Sequence, residues 1–264
     1  MARIEKQTKR YPSDLTDEEW VMMEPLLPKP HRTGSRRRTD LRDILNAIRT
    51  MVRSGCEWRM LPAHFPPWQT VYWWFRRFVR RLMFRTIHDV VAMIDRERAG
   101  RTAQPSAAIL DSQSIKAPAA GGTRGYDGAK KIVGRKRHIA VDVDGRLLTV
   151  GITTANISDS AGAQVILDAL RERWPWVKHL FADGAYDRLQ RMDKAAFLAF
   201  TLEIVSRIDP GFKILPRRWV VERTFGWLTR YRRLVRDYEA RIDVSEAFIY
   251  LAMTNMLVRR IAHN

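Results

Sequence analysis

Hydrophobic and polar positions alternate with two different periods along this chain, and the change of period divides it. Up to residue 100 the apolar side chains recur at helical spacing. Thr16 stands three residues before Glu19, ahead of Trp20, Val21, Met22 and Met23, a reciprocal N-terminal capping pattern, and Pro25, Pro28 and Pro30 end that helix. Asp40 caps a second helix carrying Leu41, Ile44, Leu45, Ile48, Met51 and Val52 on one face and stopped by Ser54-Gly55. The third places Val71, Trp74, Phe75 and Phe78 on one side and Arg76, Arg77, Arg80 and Arg81 on the other. Three short helices with a basic last one predict a helix-turn-helix-like unit over 13–100, preceded by a basic tail, 1–12. Small and polar residues with Pro105 mark a linker at 101–107.

Beyond it, in 108–264, strand-like runs begin. The pattern predicts a strand at 107–115, a hairpin at 138–155 turning at Asp144-Gly145, a helix at 158–173, a strand at 177–181, a helix at 188–200, a strand at 202–205 and a long helix at 217–236. On the 158–173 helix, Ala161, Val165, Leu167, Ala169 and Leu170 form the apolar side. Residues 118–131 look like a mobile loop with a basic end. A meander followed by helix-linked strands predicts an α/β fold, a mixed sheet flanked by helices.

Composition then narrows the partner. The chain of 264 residues carries 47 Lys and Arg against 29 Asp and Glu, a net charge of +18 and a pI near 10.7. Residues 1–101 hold 21 basic and 12 acidic side chains and residues 102–264 hold 26 and 17, so the excess is shared equally. Arginines interleaved with aromatics in both parts point to a phosphate backbone rather than a membrane surface. A single cysteine, Cys56, excludes a disulfide framework and a cysteine-rich zinc site, so any metal here has oxygen ligands. The basic start MARIEKQTKR lacks the apolar stretch of a secretory signal, and no run is long enough to span a bilayer; the expectation is a soluble, cytoplasmic protein.

Three acids stand out. Asp111 ends the apolar part of the first strand, in ILDSQSIK, and Asp183 ends the strand in HLFADGAYD, ahead of Gly184. Glu222 is the single acid among seven arginines in 217–236, on the helical side away from Val220, Thr224, Trp227, Leu228, Tyr231 and Leu234. An exposed ion pair with Arg218 would account for that glutamate but not for so many arginines, since such a pair contributes only about 0.3–0.5 kcal/mol. Together the three provide hard oxygen donors suited to two Mg²⁺ or Mn²⁺ ions, the group that phosphoryl transfer needs. Asp142, Asp144, Asp159 and Asp187 compete, but as a mid-strand residue, a turn residue, a helix cap and a residue preceding a helix.

ILDSQSIK, ADGAYD and RRWVVERTFGWLTRYRRL resemble the three acidic motifs of the DDE transposases of bacterial insertion sequences, which carry a ribonuclease H-like catalytic domain. LTDEEWVMMEPLLP, RRRTDLRDILNAIRTMVRSGCEWRMLP and PPWQTVYWWFRRF resemble the branch with a compact N-terminal helical domain, as does GYDGAKKIVGRKRHIAVD between the first two strands. The likeness runs over about residues 13–250. It implies Asp111, Asp183 and Glu222 as metal-binding catalytic acids, with Arg218 and Arg223 on phosphates. Positions seven before and seven after the glutamate, often tyrosine and lysine in the family, are Leu215 and Thr229 here, with Arg230 adjacent.

The remaining basic candidates for DNA contact are Lys116, Arg135, Lys136, Arg137, Arg230 and Arg233, with Arg76, Arg77 and Arg80 beside Trp73 on the helical domain. Helical spacing assigns most of Trp68, Tyr72, Trp74 and Phe75, and also Trp227, to core packing; His138 and His179 are structural. The resemblance implies a transposase that binds element ends and target DNA, cleaves with divalent metal, joins 3′-hydroxyl ends and works on DNA as a homodimer or larger. The alternatives are a nuclease of the same fold and a transposase-derived DNA-binding regulator.

Overall fold

The computed structural model describes residues 11–29, 38–119, 122–186, 200–204 and 218–263. The basic turn at 30–37, the helix expected at 188–199, Asp187, Val205 and Leu215 lie outside the described residues, as does the Arg218 side chain.

Helix α1 (Asp17–Met23) forms because Thr16 and Glu19 cap each other: Thr16 Oγ1 accepts from Glu19 N at 3.1 Å, and Glu19 Oε2 accepts from Thr16 N at 3.3 Å. Helix α2 (Leu41–Ser54) starts where Asp40 accepts from Arg42 N at 2.8 Å and closes at Gly55. The expected third helix is α3 (Trp68–Arg80), and a further helix that the sequence reading did not separate, α4 (Met83–Arg98), follows it. Their break has no glycine or proline; it is made by Leu82, whose φ of 54° is rare for a side chain of that size.

The sheet contains β1 (Ala107–Lys116), β2 (Gly125–Asp127), β3 (Ile132–Val141), β4 (Leu147–Thr154), β5 (His179–Ala182) and β6 (Thr201–Ile204). Its order is β2-β3-β1-β5-β6, with β4 also on β3. β1, β3 and β4 form an antiparallel meander, and β5 and β6 run parallel to β1 and to each other. Part of the segment expected to be a loop is therefore β2, and β3 begins six residues earlier than the hairpin pattern indicated. Helix α5 (Asp159–Arg173), capped by Ser158, buries Gly162, Ala163, Ile166, Leu167 and Leu170 instead of Ala161 and Val165, which are exposed.

The 217–236 helix is shorter than expected. Helix α6 (Arg218–Thr229) ends ahead of Tyr231, and a 3-10 turn, Arg232–Leu234, follows. Its buried positions are Val220, Val221, Thr224, Phe225 and Leu228, so Val221 and Phe225 join the apolar side and Trp227 is half-buried at its margin. The last helix, α7 (Ile242–His263), lies outside the periodicity reading because it is apolar nearly all round, which marks a helix enclosed by others.

One face of the sheet, with Leu110, Ala140, Leu148 and Leu180, packs on α5. The other face, with Ile109, Ile139, Val150 and Phe181, shares a single core with α6, α7 and the N-terminal helices. Thus the helical region and the sheet are joined through α7 across the linker. The architecture is a ribonuclease H-like mixed α/β sheet with an N-terminal helical region. No described helix is long and apolar enough to cross a membrane.

Candidate active site

The parallel register sets the first two acids. β1 and β5 pair at Ala107 with His179, Ala108 with Leu180 and Ile109 with Phe181. Two residues further along, Asp111 and Asp183 come level, on neighbouring strands about 4.8 Å apart. By alternation both share the face of Ile109 and Phe181, the face that α6 covers. Both are half-buried. Asp183 Oδ1 accepts from Ala185 N at 3.0 Å and its carbonyl from Tyr186 N at 3.0 Å, so the strand passes into a 3-10 turn, Gly184–Tyr186. Asp111 Oδ1 accepts from Ser112 N at 2.7 Å.

Glu222 is exposed on α6, in one stripe with Gly226 and Thr229. The Asp111–Asp183 pair suits a hard divalent cation in donor type and in its level placement on neighbouring strands. Among the described residues, no group of three His, Cys, Asp or Glu is gathered closely enough to hold a metal ion.

Periodicity gave no sign of the polar layer under the pair. On the opposite face of β1, Ser112 Oγ donates to Asp159 Oδ1 at 2.6 Å, and Lys136 Nζ reaches the same oxygen at 2.9 Å and the Ile157 carbonyl at 2.8 Å. Burial works to raise the Asp159 pKa, but Ser112 and Lys136 together hold it below the ordinary carboxylate range. Tyr186 is 1% exposed. Burial first, then the negative charges of Asp111, Asp159 and Asp183, push its pKa well above the usual tyrosine value, so it stays a neutral hydroxyl among carboxylates. Its signal was the tyrosine three residues after Asp183 in DGAY.

Several basic candidates are placed differently from the expectation of a solvated, DNA-facing run. Arg135, Lys136 and Arg137 are all buried, which corrects the reading of these three as open contacts. Arg135 Nη1 donates to Asp237 at 3.1 Å and to the Glu239 carbonyl at 2.8 Å, tying β3 to the segment before α7. Arg137 is 3% exposed, its Nε has no partner among the described residues, and burial pulls its pKa down to about 10 against the opposing charge of Asp237. Arg233 is half-buried and bonds Glu239 at 2.8 Å and the Cys56 carbonyl at 2.9 Å. Arg223 lies between Trp219 and Trp227, 4.3 and 4.7 Å from their ring centres, and donates to the Asp144 carbonyl at 2.7 Å. Lys116, Arg80 and Arg230 are exposed, Arg76 is half-buried, and Arg77 stacks at 5.3 Å on Trp73, itself exposed.

Two of the competing carboxylates, Asp142 and Asp144, are structural. Asp142 is fully buried: Oδ1 accepts from Asp144 N and Arg146 N, each at 2.9 Å, and Oδ2 pairs with Arg96 and with Arg146. Asp144 pairs with Arg101 and Arg146. Among the histidines, His138 is buried against Thr153, whereas His179 at the start of β5 is exposed.

Comparison with known proteins agrees with the fold. The family described as "Transposase DDE domain" matches residues 102–257, and the one described as "Putative transposase of IS4/5 family" matches residues 15–88. The chain is 32% identical over 132 residues, 45% of its length, to a Burkholderia cepacia protein named "Putative transposase for insertion sequence element IS402", and spans 60% of that relative. Over 113 residues it is 32% identical to the "Insertion element IS402 uncharacterized 16.2 kDa protein" of the same organism, covering 40% of this chain and 76% of that one. With the first match running across the whole meander, α5, α6 and most of α7, and the second across the N-terminal helices, the chain belongs to the DDE transposase family of insertion sequences.

Proposed function

We propose that this protein is an insertion-sequence transposase that binds element ends, cuts DNA strands there and joins the freed 3′-hydroxyls to target DNA. The observation that carries this reading is the level placement of Asp111, in the middle of β1, and Asp183, just past the end of the parallel neighbour β5, in a chain of this family. Asp111 and Asp183, with Glu222 from α6, would hold Mg²⁺ or Mn²⁺, which would supply the Lewis acidity that phosphodiester cleavage needs. The protein's own contribution is positional. The rigid neighbouring strands β1 and β5 fix the two carboxylates, the neutral Tyr186 hydroxyl sits beside them without adding charge, and exposed arginines and Lys116 bind neighbouring phosphates. The N-terminal helices present Trp73, Arg76, Arg77 and Arg80 to DNA, and cutting two ends requires at least a dimer on the nucleic acid.

The test uses purified protein, labelled DNA carrying an element end, and Mn²⁺ calorimetry. Asp183→Asn should still retard the DNA in a gel but yield no cleaved or joined product and bind Mn²⁺ at least tenfold more weakly. Undiminished cleavage removes Asp183 from the chemistry. A second reading, a DNA-binding protein of this family without cleavage, draws on the finding that no group of three possible metal ligands is gathered among the described residues. Retarded DNA with no product from the unmodified protein in Mg²⁺ or Mn²⁺ would select it.

A further inference from the structure

An open cavity of about 800 Å³ lies at the turn of the β3-β4 hairpin, between the C-terminal ends of α4 and α7 and one side of α6. Five arginines line it, Arg98, Arg101, Arg146, Arg223 and Arg260, against two aspartates, Asp95 and Asp144. The aspartates are occupied: Asp95 pairs with Arg146 and Arg260, and Asp144 with Arg101 and Arg146. Arg98 and Arg223 have no carboxylate partner among the described residues, so the cavity keeps a net positive charge.

The wall is aromatic as well. Trp219, Arg223 and Trp227 follow one another at four-residue intervals on α6, a quarter-turn from the Glu222 stripe. Arg223 is clamped between the two indoles, its Nε buried without a hydrogen-bond partner among the described residues. Trp219 remains 40% exposed. A buried guanidinium nitrogen with no acceptor is costly unless a ligand supplies one.

We infer that this cavity is a second nucleic-acid site, which takes an unpaired DNA strand, with phosphate on Arg98 and Arg223 and a base against Trp219. A positive recess with stacking aromatics is the arrangement that holds single strands without reading their sequence. The recess is of a size for one nucleotide-sized group, since small-ligand pockets run to roughly 300–1,000 Å³. A duplex keeps its bases stacked inside and cannot offer one to Trp219. The choice of DNA as the polymer rests on the transposase reading; the recess and its charge do not.

Titration of tryptophan emission with a short oligothymidylate, without divalent ions, tests the site. The unmodified protein should show saturable quenching. Trp219→Ala should lose part of that quenching, and Arg98→Glu, an exposed substitution in the last turn of α4, should weaken binding about tenfold with circular dichroism unchanged. Equal quenching by the matching duplex overturns the single-strand assignment, and equal quenching by inorganic phosphate reduces the cavity to a simple anion site. Unchanged titrations in both variants overturn the site itself. Quenching with no cleavage by the unmodified protein would remove the transposase reading and leave the cavity standing; cleavage without quenching would do the reverse.

Discussion

Asp142 shows how one carboxylate can be indispensable without touching substrate. It is fully buried, shapes the hairpin turn through two backbone amides, and neutralises Arg96 from α4 and Arg146 from the turn. Removing it leaves two buried guanidinium groups short of a counter-charge, so Asp142→Ala should cost about 3–5 kcal/mol, the range for breaking a buried pair on one side. Urea unfolding would measure this, and a loss below about 1 kcal/mol would show that Asp95 and Asp144 take over. The sequence pattern set Asp142 aside as mid-strand and took Asp111 for a strand-end acid; the structure reverses both, with Asp142 just past the end of β3 and Asp111 in the middle of β1. What sequence could not show is that Arg135 and Arg137 are internal. A basic strand has the same letters whether its alternate residues face solvent or, as here, a helix and a counter-ion on each face.

Elements were legible where caps and breakers mark them and illegible where packing alone decides. Thr16 and Asp40 each start a helix as their side chains require, whereas the cap expected at Asp159 is supplied by Ser158. Leu82, by contrast, breaks a helix with no chemical signature, and the phase of α5 is set by a contact that no period reveals. At Gly162 a Cβ would lie 2.0 Å from the His138 ring, which is itself buried and bonded to Thr153 at 2.9 Å. Helix propensity favours alanine over glycine by about 1 kcal/mol, but overpacking costs about 1–3 kcal/mol, and the rigid ring has nowhere to retreat. Gly162→Ala should therefore lower Tm, by several degrees at roughly 2–4 °C per kcal/mol for a domain this large. A raised Tm would mean that α5 can lift from the sheet. A similar close approach fixes Gly145, at φ 86°, where Thr224 and Arg223 of α6 dock on the turn. Asp183 lies just past its strand, as its position before Gly184 indicated, whereas Asp111 falls within β1 because that strand runs on to Lys116 along β3; the orientation of α6 that governs Glu222 carried no sequence signal.

Across the whole molecule, buried neutral imidazoles join its parts and make stability depend on pH. His88 of α4 contacts the Leu147 carbonyl of β4 at 2.8 Å and Thr254 of α7, and burial pulls its pKa down to about 4. Burial does the same to His138, also to about 4. A depressed histidine favours the fold above its unfolded value near 6.5 and loses that contribution as pH falls towards 4. Glu246 acts oppositely: burial lifts it to about 7, so its contribution is complete below about 4.5 and vanishes as pH rises through 7. Two groups outweigh one, so the urea midpoint should fall between pH 6.5 and 4.5 and fall more steeply in Glu246→Gln. A flat profile would show that the histidines are solvated in the fold.

The centre of the shared core is α7, residues 242–263, whereas the helices it unites occupy 17–98. During synthesis those early helices leave the ribosome with their apolar faces uncovered. At roughly 5–20 residues per second they wait on the order of ten to thirty seconds for the strand of chain that shelters them. A chain ended upstream of residue 242 would lack the helix that covers those faces, and should therefore unfold at lower urea than the full chain.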